Sequence, residues 1–185
     1  MSQQEMSKRD SIANEMFEYA EMIFATILIV ILVFTFVLRP ATVFGSSMFP
    51  TMEEGDVILI SKLFYEPKQG DIVVVPHPNM PPNEPAIIKR VIATEGQTVD
   101  IDFDTGDVWV DGELLDEPYI NELTHDAQDF EGPLTVPAGE VFVMGDNRNA
   151  STDSRSDIFS TFDEDYILGR CVLRILPFDK IGSVN

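Results

Sequence analysis

Asp56-Val57-Ile58-Leu59-Ile60, Asp71-Ile72-Val73-Val74-Val75 and Ala86-Ile87-Ile88-Lys89-Arg90-Val91-Ile92-Ala93 are three short β-branched runs, set apart by Gly55, Gly70 and the proline-rich stretch from Pro76 to Pro85. Runs of this length between glycine and proline punctuation read as strands. The pattern resumes in Val141-Phe142-Val143-Met144 and from Ile167 to Leu176. It predicts a mainly β fold: an antiparallel β-sheet catalytic core from residues 40–93 and 140–185, with a smaller acidic β lobe, 94–139, inserted between its halves.

Inside that lobe Val99, Ile101 and Phe103 alternate with Asp100, Asp102 and Asp104. Period two sends the apolar set to one face and the acids to the other. The D-x-D-x-D spacing suits a calcium loop poorly, because Thr105 and Asp111 stand where glycine and glutamate are needed. Asp104-Thr105-Gly106 also spells the aspartic-protease triplet, a common string better read as a hairpin turn ahead of Val108-Trp109-Val110-Asp111-Gly112.

Seventeen uncharged residues lie between Glu21 and Arg39, running from Met22 to Leu38. A membrane helix needs about 17–25 apolar residues, so the run qualifies. A cleavable secretory signal has a shorter apolar core and small residues at the cut, and Arg39-Pro40-Ala41-Thr42-Val43-Phe44 has no A-x-A pattern. The expectation is a single transmembrane helix over 19–39, ended by Pro40. Residues 1–18 form a cytoplasmic tail, as a short helix or frayed. Lys8 and Arg9 before the span weigh against Arg39 after it, a slight positive-inside bias.

Twelve basic against 32 acidic residues leave a formal charge of −20, and Glu95 to Glu140 holds fourteen acids with no Lys or Arg. Such a surface repels phosphate backbones, which argues against nucleic acid as a partner. The single cysteine, Cys171, excludes an intrachain disulfide and a cysteine-based zinc site. In the run Cys171-Val172-Leu173 it reads as a small buried hydrophobe.

After the span comes Gly45-Ser46-Ser47-Met48-Phe49-Pro50-Thr51-Met52. A serine hydroxyl attacks only once a base takes its proton. The two histidines, His77 between prolines and His125 in the acidic lobe, read as surface residues. A lysine can replace them if burial lowers its pKa by about 3–5 units. Lys89 shares a strand face with Ile87 and Val91, whereas Arg90 faces the other way. Alone, that pattern suits a snorkelling lysine better than a base. The stretch Gly145-Asp146-Asn147-Arg148-Asn149-Ala150-Ser151-Thr152-Asp153-Ser154-Arg155 is a buried polar network or a solvated turn, and composition favours the turn.

Taken together, Ser47-Met48-Phe49-Pro50-Thr51 after a membrane span, Lys89-Arg90-Val91 in a β-run and the Gly145–Arg155 stretch resemble the bacterial type I signal peptidases in their compact form. Val108 to Gly112 followed by Glu117-Pro118-Tyr119 resembles the family's accessory-lobe signature. The resemblance runs from about Met22 to Val184. It implies a serine endopeptidase that needs no cofactor and no metal, with Ser47 as nucleophile and Lys89 as general base. It implies further that Ser151 hydrogen-bonds and orients the lysine. Asp153 and Arg155 pair to shape the site together with Arg90, while Asp146, Asn147 and Arg148 brace the loop. Gly45 stands where larger members carry an oxyanion-binding serine, leaving the Ser47 N–H as the expected donor.

By the same resemblance the substrates are precursor proteins bearing signal peptides, cut after small residues near the protein translocation machinery. The peptide would lie along a strand edge with Val43, Phe44, Met48, Ile87 and Ile88 as wall residues. The lipid bilayer is then a partner, with the N-terminus cytoplasmic and the catalytic domain outside the cell membrane. Phe49, Met52 and Leu63-Phe64-Tyr65 form either an apolar rim towards the bilayer or part of the core. A self-cleaving repressor and an anchored binding module are the rival readings. The first lacks a DNA-binding head, and the second leaves the serine–lysine combination unexplained.

Overall fold

A computed structural model describes residues 3–76 and 86–184. His77 and most of the proline-rich stretch lie outside the described residues.

Helix α1 runs unbroken through Gln3–Leu32 and passes into a π-helical turn, Val33–Val37. The stretch Asn14–Thr35, which continues from α1 into that turn, is 22 residues long with a mean hydropathy of 2.2, enough to cross a membrane. At 1.5 Å per residue that is about 33 Å, against a hydrocarbon core of about 30 Å. Residues 3–18, expected as a short helix or frayed, are helical and continuous with the apolar run. At the far end the helix stops at Val37, Leu38 is extended at φ −122° and ψ 130°, and Arg39 already belongs to strand β1. The reason is Pro40, whose ring disfavours helical backbone in the residue before it.

The strands that follow are β1 (Arg39–Thr42), β2 (Val57–Ser61), β3 (Ile72–Val75), β4 (Ile87–Thr94), β5 (Thr98–Asp102), β6 (Asp107–Val110), β7 (Glu113–Leu114), β8 (Leu134–Thr135), β9 (Glu140–Met144), β10 (Phe162–Asp163) and β11 (Gly169–Leu176). Seven of them make one sheet in the order β1-β2-β11-β3-β4-β9-β10. The late strand β11 inserts between β2 and β3 and pairs antiparallel with both. Strand β4 lies between β3 and β9, again antiparallel to each. It is therefore a central strand, and its Ile88 to Ala93 stretch is buried on both faces, which a nearly unbroken β-branched run permits.

Strands β5 to β8 form a second sheet in the order β7-β6-β5-β8. Val99 and Ile101 are buried while Asp100 and Asp102 are exposed. Asp104-Thr105-Gly106 lies in the β5–β6 hairpin turn: Asp102 accepts the amides of Asp104 and Thr105, and Gly106 takes φ +85°. The apolar face of this sheet does not close on itself. Val99, Ile101, Val108 and Val110 pack in one cluster with Ile92, Phe142 and Met144 of the large sheet. Residues 40–185 accordingly form one compact unit, with the acidic segment sharing the core of its host.

A second cluster joins Val43, Met48, Met52, Ile58, Ile60, Ile72, Val74, Ile88 and Cys171. A third joins Val73, Val75, Val91, Val141 and Val143, with Ile87 packed against it. Met52 belongs to the core, whereas Leu63 is half-exposed and Phe64 is 95% exposed. Of the two alternatives, Met52 takes the core one, and Phe64 lies outside the core.

Candidate active site

Ser47 sits in a turn between β1 and β2, where the Phe49 amide donates to the Ser46 carbonyl at 3.1 Å and the Met52 amide to the Met48 carbonyl at 2.9 Å. Met48 is buried, so the turn is pinned to the first core cluster beside the serine. Ser47 itself is partly buried. Lys89 comes from the middle of β4, opposite Val73, and is only 3% exposed. Its Nζ lies 2.8 Å from Ser47 Oγ, across 42 residues of sequence. Ser47 is thus the more accessible member of the pair, and the Lys89 amine is shielded from bulk water.

Burial pushes the Lys89 amine down from 10.5 to about 8. The Asp153 and Asp146 carboxylates oppose the shift and the Arg155 guanidinium assists it, but desolvation is the largest influence. A lysine in this range is partly neutral at mildly alkaline pH, and the neutral amine accepts a proton from a hydroxyl at this distance.

Around the pair lies a buried network of charges rather than a solvated turn. Ser151, Asp153 and Arg155 are all buried, with Asp153 and Arg155 nearly inaccessible. Arg155 donates Nε to Asp153 Oδ1 at 2.8 Å and Nη2 to Oδ2 at 2.9 Å. Its remaining donors reach the Asp126 and Arg148 carbonyls. Ser151, expected to bond the lysine, donates its hydroxyl to Asp153 Oδ2 at 2.8 Å. A serine has one proton to give, and a carboxylate is its strongest acceptor here. Among the described hydrogen bonds the Lys89 amine is engaged with Ser47.

Arg90 does not join Asp153 and Arg155 as expected. It pairs with Asp146, Nε to Oδ1 at 2.8 Å and Nη2 to Oδ2 at 2.7 Å, and lies 3.8 Å from the Tyr119 ring centroid. Strand alternation explains the separation, since Lys89 and Arg90 leave β4 on opposite faces. Thr51 donates to the same Asp146 carboxylate, linking the nucleophile's turn to the pair. Arg148 pairs with Glu117 and donates to the Gly145 carbonyl and Thr124. Glu117 and Tyr119, recognised in the sequence only as a signature, are thus the acidic segment's grip on the site.

Of the expected wall residues, Val43, Met48 and Ile88 are buried in a single core cluster, Ile87 is half-buried, and Phe44 is exposed. Three of the five therefore have their side chains in the sheet interior. Met48 roots the Ser47 turn in this cluster, whereas Lys89 shares its strand face with Ile87 and Val91 of the third cluster.

Two residues escaped the sequence reading. Gly145 has no room for a side chain: a Cβ there would lie 2.5 Å from the Ser47 carbonyl oxygen and 2.5 Å from Ser151 Cβ. Its position at the head of a polar stretch was the only signal. Asn121 donates its amide to the Asp146 carbonyl and its side chain to Asn147, and nothing in its acidic loop marks it out.

A hydroxyl at hydrogen-bond distance from a buried, depressed-pKa lysine defines a serine hydrolase that uses an amine where others use an imidazole. Residues 16–176 match the family described as signal peptidase, peptidase S26, and the chain belongs to that family. It is a serine endopeptidase. A Bacillus subtilis (strain 168) protein named signal peptidase I T is 34% identical over 183 residues, covering 93% of this chain and 91% of that one. A probable signal peptidase I-1 of Synechocystis sp. is 35% identical, covering 91% and 86%. A solved signal peptidase I from Enterococcus faecalis V583 is 33% identical, covers 57% of this chain and 97% of that chain, and has a TM-score of 0.46.

Proposed function

We propose that the protein removes N-terminal signal peptides from exported precursor proteins, with Ser47 as nucleophile and Lys89 as general base. The observation that carries the residue assignment is the 2.8 Å contact between the hydroxyl of a partly buried Ser47 and the amine of Lys89, a residue 3% exposed.

Neutral Lys89 takes the Ser47 proton as Oγ attacks the scissile carbonyl carbon. The carbonyl oxygen becomes an oxyanion, and the bond to the leaving nitrogen breaks as Lys89 returns the proton to it. Water then attacks the acyl ester with Lys89 again receiving a proton, and the ester oxygen leaves as the Ser47 hydroxyl. Asp153 and Arg155 hold Ser151 beside Gly145 and the Ser47 carbonyl, so they act on the geometry and not on the substrate. Among the described backbone hydrogen bonds the Ser47 N–H donates to none, which leaves it for the oxyanion.

A preference for small substrate residues is part of this reading. Val43, Met48 and Ile88 are buried in one core cluster, which supports shallow subsites rather than deep ones. The enzyme is membrane-anchored by its N-terminal apolar helix. In our reading it crosses once, with the N-terminus cytoplasmic and the β unit outside, among lipids and near the translocation machinery; Lys8 and Arg9 ahead of the span support that orientation.

The test uses the full chain in detergent and a peptide with A-x-A before the scissile bond. Cleavage by the parent and its loss in both Ser47→Ala and Lys89→Met are expected. Retained cleavage in either variant removes the assignment.

A further inference from the structure

The amide of Asn147 does more than brace a loop. Its backbone N–H donates to the Ser47 carbonyl at 3.0 Å, and its side-chain Nδ2 donates to the Ser46 carbonyl at 3.0 Å. These two carbonyls bracket the nucleophile. The Ser46 carbonyl and the Ser47 N–H belong to one peptide unit, which is planar with the two groups pointing in opposite directions. Holding the oxygen at one end therefore fixes the direction of the N–H at the other.

That N–H is the donor left for the oxyanion. At position 45 there is a glycine with φ +74°, and a Cβ built there would meet nothing within 4 Å. No side-chain hydroxyl can assist from that position. A site that leans on one backbone donor depends strongly on where that donor points. Asn147 is itself held: Asn121 donates Nδ2 to Asn147 Oδ1 at 3.3 Å, and the Asn121 backbone amide donates to the Asp146 carbonyl at 3.0 Å. The side chain is 9% exposed, so water offers little substitute. Because Ser46 O only accepts, the amide nitrogen must face it and Oδ1 must face Asn121.

We infer that Asn147 is a positioning residue that aims the Ser47 N–H at the developing oxyanion, and that Asn121 holds Asn147 in that role. The inference rests on the acyl-transfer reading above. It predicts losses confined to states in which the oxyanion exists.

The test compares the full-length parent, Asn147→Ala and Asn121→Ala in detergent by three measurements. These are kcat and KM on the A-x-A peptide, inhibition by the matching peptide aldehyde, and binding of an uncleavable peptide with proline after the scissile position. On the aldehyde, Ser47 Oγ adds to the carbonyl carbon, its proton passes to Lys89, and the former carbonyl oxygen occupies the oxyanion position. Removal of an oxyanion donor lowers kcat by about 10²–10³-fold, so a misdirected donor should lower it by roughly ten- to a hundredfold in Asn147→Ala, and less in Asn121→Ala. The aldehyde should weaken in parallel. The uncleavable peptide should bind as before, and the acid limb of the pH profile should stay in place. A kcat within about twofold of the parent in both variants overturns the inference, as does a loss seen in KM and peptide binding with aldehyde affinity unchanged. If Asn147→Ala does not fold, Asn121→Ala, which leaves Asn147 and its backbone bond intact, decides alone on the same criteria. Cleavage by Ser47→Ala would instead sink the acyl-transfer reading, a result separable from either.

Discussion

Arg90 holds Asp146 through two parallel hydrogen bonds of 2.8 and 2.7 Å, and the chain neighbour of each is a site residue: Lys89 precedes Arg90, and Asn147 follows Asp146. The pair therefore ties β4 to the loop after β9 within one residue of the base on one side. Removing one partner leaves a buried charge without its counterion. Asp146→Ala should lose about 3–5 kcal/mol of stability, read from the urea midpoint. Replacing both by apolar residues of similar volume, as in Arg90→Met with Asp146→Leu, should lose clearly less. An equal loss in single and double variants would contradict the ion-pair account.

The proton-transfer step sets the pH profile. With Lys89 at about 8, the acid limb of kcat/KM should rise about tenfold per pH unit below pH 8 and level off above it. Peptide cleavage followed across the alkaline range measures this. A limb centred near the histidine range would point to another base.

Lys89 also carries a stability signature of definite sign. Its folded value of about 8 lies below its ordinary value of 10.5, so between the two the unfolded chain binds more protons and stability rises with pH. Below pH 8 the buried ammonium costs about 3 kcal/mol. Lys89→Met should therefore be more stable than the parent at neutral pH, with the gap shrinking as pH climbs through the interval. Paired denaturation curves at neutral and alkaline pH check both the sign and the trend.

Gly145→Ala would drive a methyl group against the Ser47 carbonyl oxygen and Ser151. Neither can retreat easily, since the first accepts the Asn147 amide and the second is held by Asp153. We expect activity to fall by at least about a hundredfold, with destabilisation of roughly 1–3 kcal/mol from overpacking. Assaying the folded fraction separates the two effects.

Cys171 is buried among apolar side chains, and burial raises its thiol to about 12. The folded protein should resist iodoacetamide at neutral pH and react only when unfolded. Mass spectrometry with and without denaturant distinguishes these states.

Strand identities were legible because β-branched runs between glycines and prolines have few alternatives, and because Asp100 and Asp102 alternate with Val99 and Ile101 in strict period two. Whether the polar residues ahead of the apolar run stay helical or fray was not: they continue the helix, and no proline or glycine interrupts them. Ser47 and Lys89 stood out through motif order. The partner of Arg90 did not, since Asp146 and Asp153 are both acids in one loop, and which of them faces Arg90 depends on how β9 and β4 align.

The order of residues alone determined that this chain is strand-rich, carries a membrane-length apolar helix, and places a serine and a lysine 42 positions apart in recognisable surroundings. Burial of that lysine, the partner of each arginine and the hold of Asn147 on the nucleophile's peptide were decided only by the tertiary structure. The physical reason is that a side chain's charge state and hydrogen bonds depend on what surrounds it in space. Here those surroundings come from β3, β4, β9 and the 117–128 segment at once, and no local window of sequence contains them.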